Sequence, residues 1–210
     1  MYVGPDIVQD GLVAVFDAGS TRSYPGTGTV WYNLIGSGTG TLSATSIGTT
    51  TAGVMTFDGV DDTITISSPD LTSSNFTVIG VSQRPTSNVG RLISGGANNW
   101  LLGHWSGSSR QYFSMGWVEG PNGVNDHATH IYCGTGNISS DTYSFRDNNV
   151  EYTSNPTSGS AGPNGFVLGK YHAGTEYGLG AITLLLVYNR VLTDAEITQN
   201  YNAQKSRFGL

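Results

Sequence analysis

Near its C-terminus the sequence contains the stretch LGAITLLLVYNRVLTDAEI, from Leu179 to Ile197. The apolar run at its start, Leu179–Tyr188, has the length of a β-strand and is too short for a membrane span, which needs about 18 residues. A capping box follows at Thr193–Glu196, in which the Thr193 hydroxyl accepts a hydrogen bond from the Glu196 N–H and the Glu196 side chain reaches back. The stretch therefore predicts a strand followed by a short helix.

The predicted helix carries an apolar stripe. Leu192 and Ile197 occupy the staple positions on either side of the capping box, and Tyr201 lies one turn after Ile197. Phe208 lies about two turns beyond Tyr201. Such stripes usually pack on a core, so we expect the helix to cover one end or edge of the fold and to carry no chemistry.

Short runs with period-2 alternation recur along the rest of the chain, separated by turn residues. The predicted strands are Leu12–Asp17, Val54–Asp58, Thr63–Ile66, Asn75–Arg84, Arg91–Ser94, Trp100–His104, Tyr112–Trp117, Ala128–Cys133, Thr142–Arg146, Val150–Thr153, Gly165–Lys170 and Leu179–Tyr188. Asn75–Arg84 is apolar on both faces, which predicts a central strand. Val54–Asp58 and Thr63–Ile66 flank a turn, which predicts a hairpin. We expect residues 1–210 to form one all-β domain, a two-sheet antiparallel sandwich with one short C-terminal helix.

The composition argues against two classes of partner. Only 11% of the residues are charged, against roughly 25% in an average soluble domain, and the formal net charge is −6. Nucleic-acid binding depends on neutralising phosphates, and binding to anionic membranes depends on clustered Lys and Arg. We therefore expect neither a nucleic acid nor a membrane as partner.

The single cysteine and the N-terminal residues bear on location. Cys133 excludes an internal disulfide, and its place in a strand predicts a buried, inert thiol. The segment Met1–Asp6 has neither the basic start nor the apolar stretch of a signal peptide. We expect the chain to be made and folded in a cytoplasm.

Three blocks of sequence carry a resemblance to a known family. The blocks are an opening set at Gly11–Val13, Phe16–Gly19, Ser23–Thr29 and Trp31–Leu34, a second block at Phe57–Asp62, and a C-terminal block at Leu186–Ile197. In this order they resemble laminin-G-like domains with the concanavalin A-like lectin/glucanase fold, and the resemblance spans essentially the whole chain. The opening block resembles those of structural proteins of tailed phages, particularly of marine and cyanobacterial hosts.

The resemblance implies a jelly-roll sandwich of two curved antiparallel sheets. It also implies binding or adhesion more often than catalysis, with glycans and proteins as the usual ligands and a calcium ion in some members. Because a fold does not fix a function, each implication is weighed against the residues of this chain.

Catalysis is not expected. Retaining glycosidases need two carboxyl groups about 5 Å apart, and the related glucanases carry alternating acidic residues on one strand. The glutamates of this chain are isolated from one another, at Glu119, Glu151, Glu176 and Glu196. No Gly-x-Ser-x-Gly elbow is present either.

Three aspartates make calcium a candidate cofactor. Asp58, Asp61 and Asp62 crowd one turn, and Asp17 joins them if the first strand pairs nearby. Clustered carboxylates favour a cation, and Ca²⁺ prefers oxygen ligands. The alternative is a solvated turn whose aspartates bond to local backbone N–H groups.

A candidate glycan or partner surface lies around one predicted strand. Its residues are Asn98, Asn99, Trp100, His104, Trp105, Asp126 and His127, with Tyr112 and Trp117 close by. Sugar recognition uses an aromatic face against C–H groups, and amide and carboxylate groups for the hydroxyls. The alternative is that Trp100 and Trp117 are core residues, as tryptophans in strands usually are. Trp105, beside Ser106–Ser108, is expected to be exposed.

Together these observations favour a non-enzymatic accessory protein on the surface of a phage particle, on its capsid or tail. Its expected partners are other virion proteins, a glycan or host cell-surface ligand, and further copies of itself. The alternative is a stand-alone carbohydrate-binding module or lectin.

Overall fold

The apolar stretch Leu179–Tyr188 forms a single strand that pairs with neighbours on both sides. The computed structural model describes residues 6–49, 53–87, 89–121, 124–153, 155–157 and 159–210. The strands of these residues are β1 (Leu12–Asp17), β2 (Val30–Tyr32), β3 (Thr39–Leu42), β4 (Gly48–Thr49), β5 (Val54–Asp58), β6 (Ile64–Asp70), β7 (Phe76–Gln83), β8 (Ile93–Gly95), β9 (Trp100–Trp105), β10 (Ser108–Ser114), β11 (Trp117–Glu119), β12 (Thr129–Asn137), β13 (Thr142–Asp147), β14 (Val150–Glu151), β15 (Asn164–Leu168) and β16 (Leu179–Tyr188). They are followed by helix α1 (Asp194–Gln204) and a 3-10 turn at Lys205–Phe208.

The described strands form two eight-stranded sheets. Sheet A has the order β14-β13-β12-β7-β16-β5-β4, and β1 pairs with the part of β16 that β5 leaves open. Sheet B has the order β11-β10-β9-β8-β15-β6-β3-β2. The pairings between named strands are antiparallel, from β1–β16 in sheet A to β2–β3 in sheet B. The two-sheet antiparallel sandwich with one short C-terminal helix is therefore confirmed.

The space between the sheets is filled mainly by aromatic and branched side chains. Trp100 lies at its centre and makes edge-on contacts with the rings of Phe76, Tyr112 and Phe166, at centroid distances of 6.3, 5.6 and 6.0 Å. All four rings are fully buried. Burying each such ring contributes about 1.5–3 kcal/mol, so this cluster fixes how the sheets face each other.

Helix α1 begins with the predicted capping box. The Thr193 hydroxyl accepts from the Glu196 N–H, and the Glu196 carboxylate accepts from the Thr193 N–H at 2.8 Å. The expectation that the helix covers an end or edge is wrong, because it packs on the outer face of sheet A. Ile197 joins a second apolar cluster there with Ile79 and Leu186. Strands β7 and β16 are apolar on both faces, so their outer sides also need a cover.

The predicted hairpin between Val54–Asp58 and Thr63–Ile66 is also wrong. Strand β5 pairs with β16 in sheet A, whereas β6 pairs with β15 in sheet B, so the connection crosses from one sheet to the other. Each strand buries alternate residues in the shared core from its own side, Met55 from one sheet and Ile64 from the other. A hairpin within one sheet and a connection between two sheets give the same local alternation, so the alternation does not distinguish them.

Two further predictions have a structural outcome. The run Tyr112–Trp117 is not one strand: β10 ends at Ser114 and β11 begins at Trp117, with Met115 in a left-handed conformation at the turn. Cys133 is buried as expected, and burial raises the pKa of its thiol to about 12. In the part of the chain that the structure describes, the helical segments lack the length and apolar character needed to cross a membrane.

Candidate ligand-binding surface

A row of side chains crosses the outer face of sheet B. Val167, Ser94, Leu101, Phe113 and Trp117 stand directly opposite one another on five adjacent strands. Residues paired in this way project from the same side of a sheet. The inward positions of β9 and β10 are held by the core residues next to them, so this row faces away from the core. Phe113 and Trp117 are partly exposed.

Three aromatic rings meet on this outer face, and we call Trp105, Phe113 and Trp117 the aromatic patch. The ring centroids of Trp105 and Trp117 lie 5.5 Å apart with an angle of 37° between the planes. Phe113 meets Trp117 edge-on at 5.0 Å. All three are partly exposed. Rings from three neighbouring strands thus form one continuous apolar surface that water reaches.

Polar groups hold the rim of the aromatic patch. Glu176 accepts two hydrogen bonds at Oε2, from Trp105 Nε1 at 2.9 Å and from Arg91 Nε at 2.6 Å. Arg91 Nη1 also donates to Asn99 Oδ1 at 2.7 Å. The Arg91 guanidinium carbon lies 4.3 Å from the ring centroid of Tyr171 and 5.7 Å from that of Trp105. The indole of Trp105 is therefore fixed by a charge-assisted hydrogen bond on its edge and a cation against its ring.

The structure brings some of the predicted surface residues together here. Asn99 and Trp105 lie at the aromatic patch, and Trp117, named as a neighbour, is part of it. Asn98 has a structural role, because its Nδ2 donates to the Gly162 carbonyl at 2.7 Å. Arg91 and Glu176 were not predicted as site residues, although the polar rim depends on both.

Trp100 and His104 do not belong to the surface, which corrects the expectation for both. Trp100 is fully buried in the aromatic core, because it occupies an inward position of β9. His104 is also fully buried, with its ring 5.3 Å from that of Tyr132. Burial holds the pKa of His104 at about 3, so the imidazole is neutral at pH 7.

Asp126 and His127 lie beside a buried polar cluster formed by His104, His130 and Asp147. Asp126 approaches His130 Nε2 at 3.5 Å, and its pKa is lowered, mainly by the hydrogen bond from the Ala128 N–H. His130 Nδ1 lies 2.8 Å from Asp147 Oδ1. The exposed His127 ring contacts the Arg84 carbonyl. The predicted set therefore divides between an outer surface and the end of the core.

The backbone helps to build this buried polar cluster. Arg110 adopts φ = 59° inside β10, at the point where the register with β9 shifts. A left-handed residue in a bulge re-aims its side chain. The guanidinium of Arg110 thereby reaches Asp147 at 2.7 Å and lies over the ring of Tyr152 at 5.0 Å.

The three aspartates predicted as calcium ligands are close together. Asp58, Asp61 and Asp62 each offer an oxygen atom within 4.8 Å of the others. The turn itself supplies donors: Asp58 Oδ1 accepts from the Val60 N–H at 2.8 Å, which lowers the Asp58 pKa. Asp62 Oδ2 accepts from the Asp58 N–H at 3.1 Å, and burial raises the Asp62 pKa. The residues fit a hard cation, and the local hydrogen bonds also account for the cluster without one.

Asp17 does not join these aspartates. It forms a two-pronged ion pair with Arg207, at 2.5 and 2.8 Å, because β1 pairs with the half of β16 that β5 does not reach. The pair borders a groove of about 410 Å³ on the outer face of sheet A, which is also lined by Gln83, Thr129 and Thr183. Each charge of the pair is satisfied by the other, so the groove offers neutral polar groups.

The sequence matches no known family model and no curated protein. Solved structures with a similar fold include Trypanosoma rangeli sialidase in complex with sialic acid, with a TM-score of 0.66 and 14% identity over 97% of this chain. The chain spans 36% of that sialidase chain. Domain 4 of AbnA, a GH43 extracellular arabinanase from Geobacillus stearothermophilus, in complex with arabinotriose, has a TM-score of 0.61 and 16% identity over 92% of this chain and 100% of that domain. The binding domain of botulinum neurotoxin serotype D has a TM-score of 0.61 and 12% identity over 93% of this chain and 52% of that chain.

At these identities the similarity establishes the fold and nothing further. The sandwich that the laminin-G-like resemblance implied is confirmed, and the same fold occurs in domains of proteins that bind or act on carbohydrates. The link to phage virion proteins stays a prediction.

Proposed function

We propose that this protein is a non-catalytic glycan-binding domain whose ligand lies on the aromatic patch. The observation that carries the proposal is the side-by-side placement of Trp105 and Trp117 on the outer face of sheet B, whereas helix α1 packs on sheet A. Contiguous apolar surface that water reaches is a mark of ligand or partner sites.

The chemistry of the patch suits a sugar. The faces of the indole rings pack against the C–H groups of a sugar ring, as aromatic side chains do in small-molecule sites. The rim adds the Glu176 carboxylate and the Asn99 amide, which pair with hydroxyl groups. The known structures of similar fold that contain arabinotriose or sialic acid support a carbohydrate as the class of ligand.

A binding role without catalysis is supported by the state of three of the four glutamates. Glu151, Glu176 and Glu196 are each ion-paired with an arginine, at 3.3, 2.6 and 2.6 Å. The hydrogen bond from Arg190 holds the pKa of Glu196 at about 2. A carboxyl group held in its charged form is a poor general acid, and glycosidases need one acid beside a second carboxylate.

For the biological setting we propose an accessory protein displayed on a phage particle, on the capsid or tail. The resemblance of the opening block supports this setting, with other virion proteins as partners and the glycan on the host surface as ligand. A stand-alone lectin is the alternative, and light scattering separates the two. A stable homo-oligomer favours a particle component, and a monomer with glycan affinity favours the lectin.

The binding proposal is tested with a glycan array and the variants Trp105→Ala and Trp117→Ala. We expect both to weaken binding by roughly tenfold or more, as aromatic anchors of interfaces do. The control is Tyr32→Ala, which removes an exposed ring from β2 at the opposite edge of sheet B. Equal binding by all four proteins would contradict the proposal.

A further inference from the structure

We infer that the aromatic patch selects neutral glycans, and that Glu176 is the residue that sets this specificity. Neutral here means a sugar without carboxylate, sulfate or phosphate groups. The inference rests on the proposed function and narrows it, because the same surface with a free cation would select acidic sugars.

Arg91 is the cation closest to the rings of the aromatic patch. Its Nε donates to Glu176 and its Nη1 donates to Asn99. The guanidinium is also flanked by the rings of Tyr171 and Trp105, and Arg91 is only 6% exposed. Acidic sugars are recognised by an arginine whose donors form a fork with the ligand carboxylate. Nε and Nη1 of Arg91 already donate to Glu176 and Asn99, and Glu176 balances the charge, so a ligand carboxylate meets a guanidinium whose fork is partly occupied.

The charged group that faces solvent beside the patch is the carboxylate of Glu176. The Glu176 side chain is 35% exposed, and both of its hydrogen bonds to Arg91 and Trp105 are made at Oε2. Oε1 therefore remains to accept hydroxyl groups of a ligand. An anionic sugar placed against this carboxylate meets a like charge, and the net charge of −6 opposes its approach at longer range.

Two other basic residues lie on the loop that carries Glu176. Lys170 places its Nζ 5.3 Å from the ring centroid of Tyr177. Burial and the charges of Arg91 and Lys170 lower the pKa of His172, so its imidazole is neutral at pH 7. Lys170 is thus the remaining cation on this loop that could attract an acidic sugar. We expect Lys170→Gln to leave the ligand preference unchanged.

The test is whether a substitution at Glu176 changes the preferred ligand from neutral to acidic sugars. Glu176→Gln removes the carboxylate and leaves the Arg91 charge without its counter-ion. We expect the variant to bind neutral glycans roughly tenfold to a hundredfold more weakly, the range for losing a charged hydrogen-bond partner. We expect it to gain binding to sialylated or uronate glycans. The control is Glu151→Gln, which breaks an ion pair with Arg146 on sheet A and is expected to leave binding unchanged.

The probe is an array of neutral, sialylated, uronate and sulfated oligosaccharides at 0.15 M NaCl, with bound protein as the readout. Binding of the unmodified protein to neutral sugars alone supports the inference. Binding to acidic sugars, with or without dependence on Lys170, overturns the inference and leaves the proposed function intact. Binding to no sugar overturns the proposed function and the inference with it.

Discussion

The indole N–H of Trp105 donates to Oε2 of Glu176 at 2.9 Å, across 71 positions of sequence. Trp105 ends β9, and Glu176 lies in the loop between β15 and β16, so the bond joins a strand of sheet B to the loop that leads to sheet A. Arg91 meets the same oxygen and carries a charge opposite to that of Glu176. The bond therefore orients a partly exposed ring before any ligand arrives, which lowers the entropy cost of binding.

Trp105→Phe tests the value of this orientation. The substitution keeps an aromatic ring and removes the N–H donor, so we expect unfolding free energy to fall by roughly 1.5 kcal/mol, the lower end for a hydrogen bond to a charged group. Glycan affinity is expected to fall as well. Urea unfolding and a binding titration measure the two effects. Trp117→Phe is the matched control, since the contacts of that indole at the patch are ring contacts; an equal stability loss there would contradict the role of the hydrogen bond.

Trp100 belongs to the core, so we expect its substitution to lower stability and to leave glycan affinity unchanged. Trp100→Phe leaves a cavity among Phe76, Tyr112 and Phe166 and is expected to cost about 1–3 kcal/mol of stability. Affinity for glycans is expected to stay unchanged under conditions where the variant is folded. The comparison with Trp105→Ala, measured by the same two assays, separates core from surface. If Trp100→Phe lost affinity without losing stability, Trp100 would have to be assigned to the binding surface.

Much of the fold follows from local sequence, because alternating or wholly apolar runs mark the buried strands. The predicted bounds of β1, β5 and β16 agree with the structure. Strand β3, with the sequence Thr-Gly-Thr-Leu, carries no comparable pattern. It pairs with β2 and β6, and Gly40 lets its backbone lie against the Ile64 side chain, which a Cβ atom would approach within 2.9 Å. Such close packing is a tertiary effect that alternation does not encode.

The candidate surface was predictable only in part. Asn99, Trp105 and Trp117 lie close together along β9 to β11, so a local search finds them. Arg91 and Glu176 are 85 positions apart and meet where the Arg91 N–H donates to the Glu176 carbonyl, beside a backbone bridge between Arg91 and Tyr177. Which residues of β9 face outward depends on register, and a shift of one position exchanges the two faces. Trp100 occupies an inward position of β9, on the opposite side of sheet B from Trp105.

The predicted calcium site is tested by adding the metal alone. Asp58 and Asp62 already accept backbone hydrogen bonds from the turn, so we expect weak binding, with a dissociation constant on the order of 10⁻³ M. Calcium at 10 times that concentration is then expected to raise the melting temperature, and Asp61→Asn to abolish the rise. Magnesium at the same concentration controls for ionic strength. An unchanged melting temperature would contradict the calcium site and favour a turn whose aspartates bond only to local backbone N–H groups.

The buried polar cluster makes stability depend on pH. His104 is fully buried, and burial, together with the nearby Arg84 charge, lowers its pKa from 6.5 to about 3. Below pH 6.5 the unfolded chain takes up a proton at this position and the folded chain does not, so protons favour unfolding. Stability therefore falls as pH is lowered from about 6.5 towards 3, with a slope of up to about 1.4 kcal/mol per pH unit from this one group.

His104→Leu removes the group that titrates in the unfolded chain and replaces it with a side chain that tolerates burial. We expect the stability of the variant to change less steeply than that of the unmodified protein between pH 6.5 and 4, measured by urea unfolding at half-unit intervals. Its absolute stability also reports the loss of the contacts with Tyr132 and Ser109, so the slope is the decisive quantity. His127→Gln is the matched control, because it replaces a histidine at an exposed position. If His104→Leu and the unmodified protein share one slope, the acid sensitivity arises from other groups, such as Asp126, whose pKa is lowered in the folded chain.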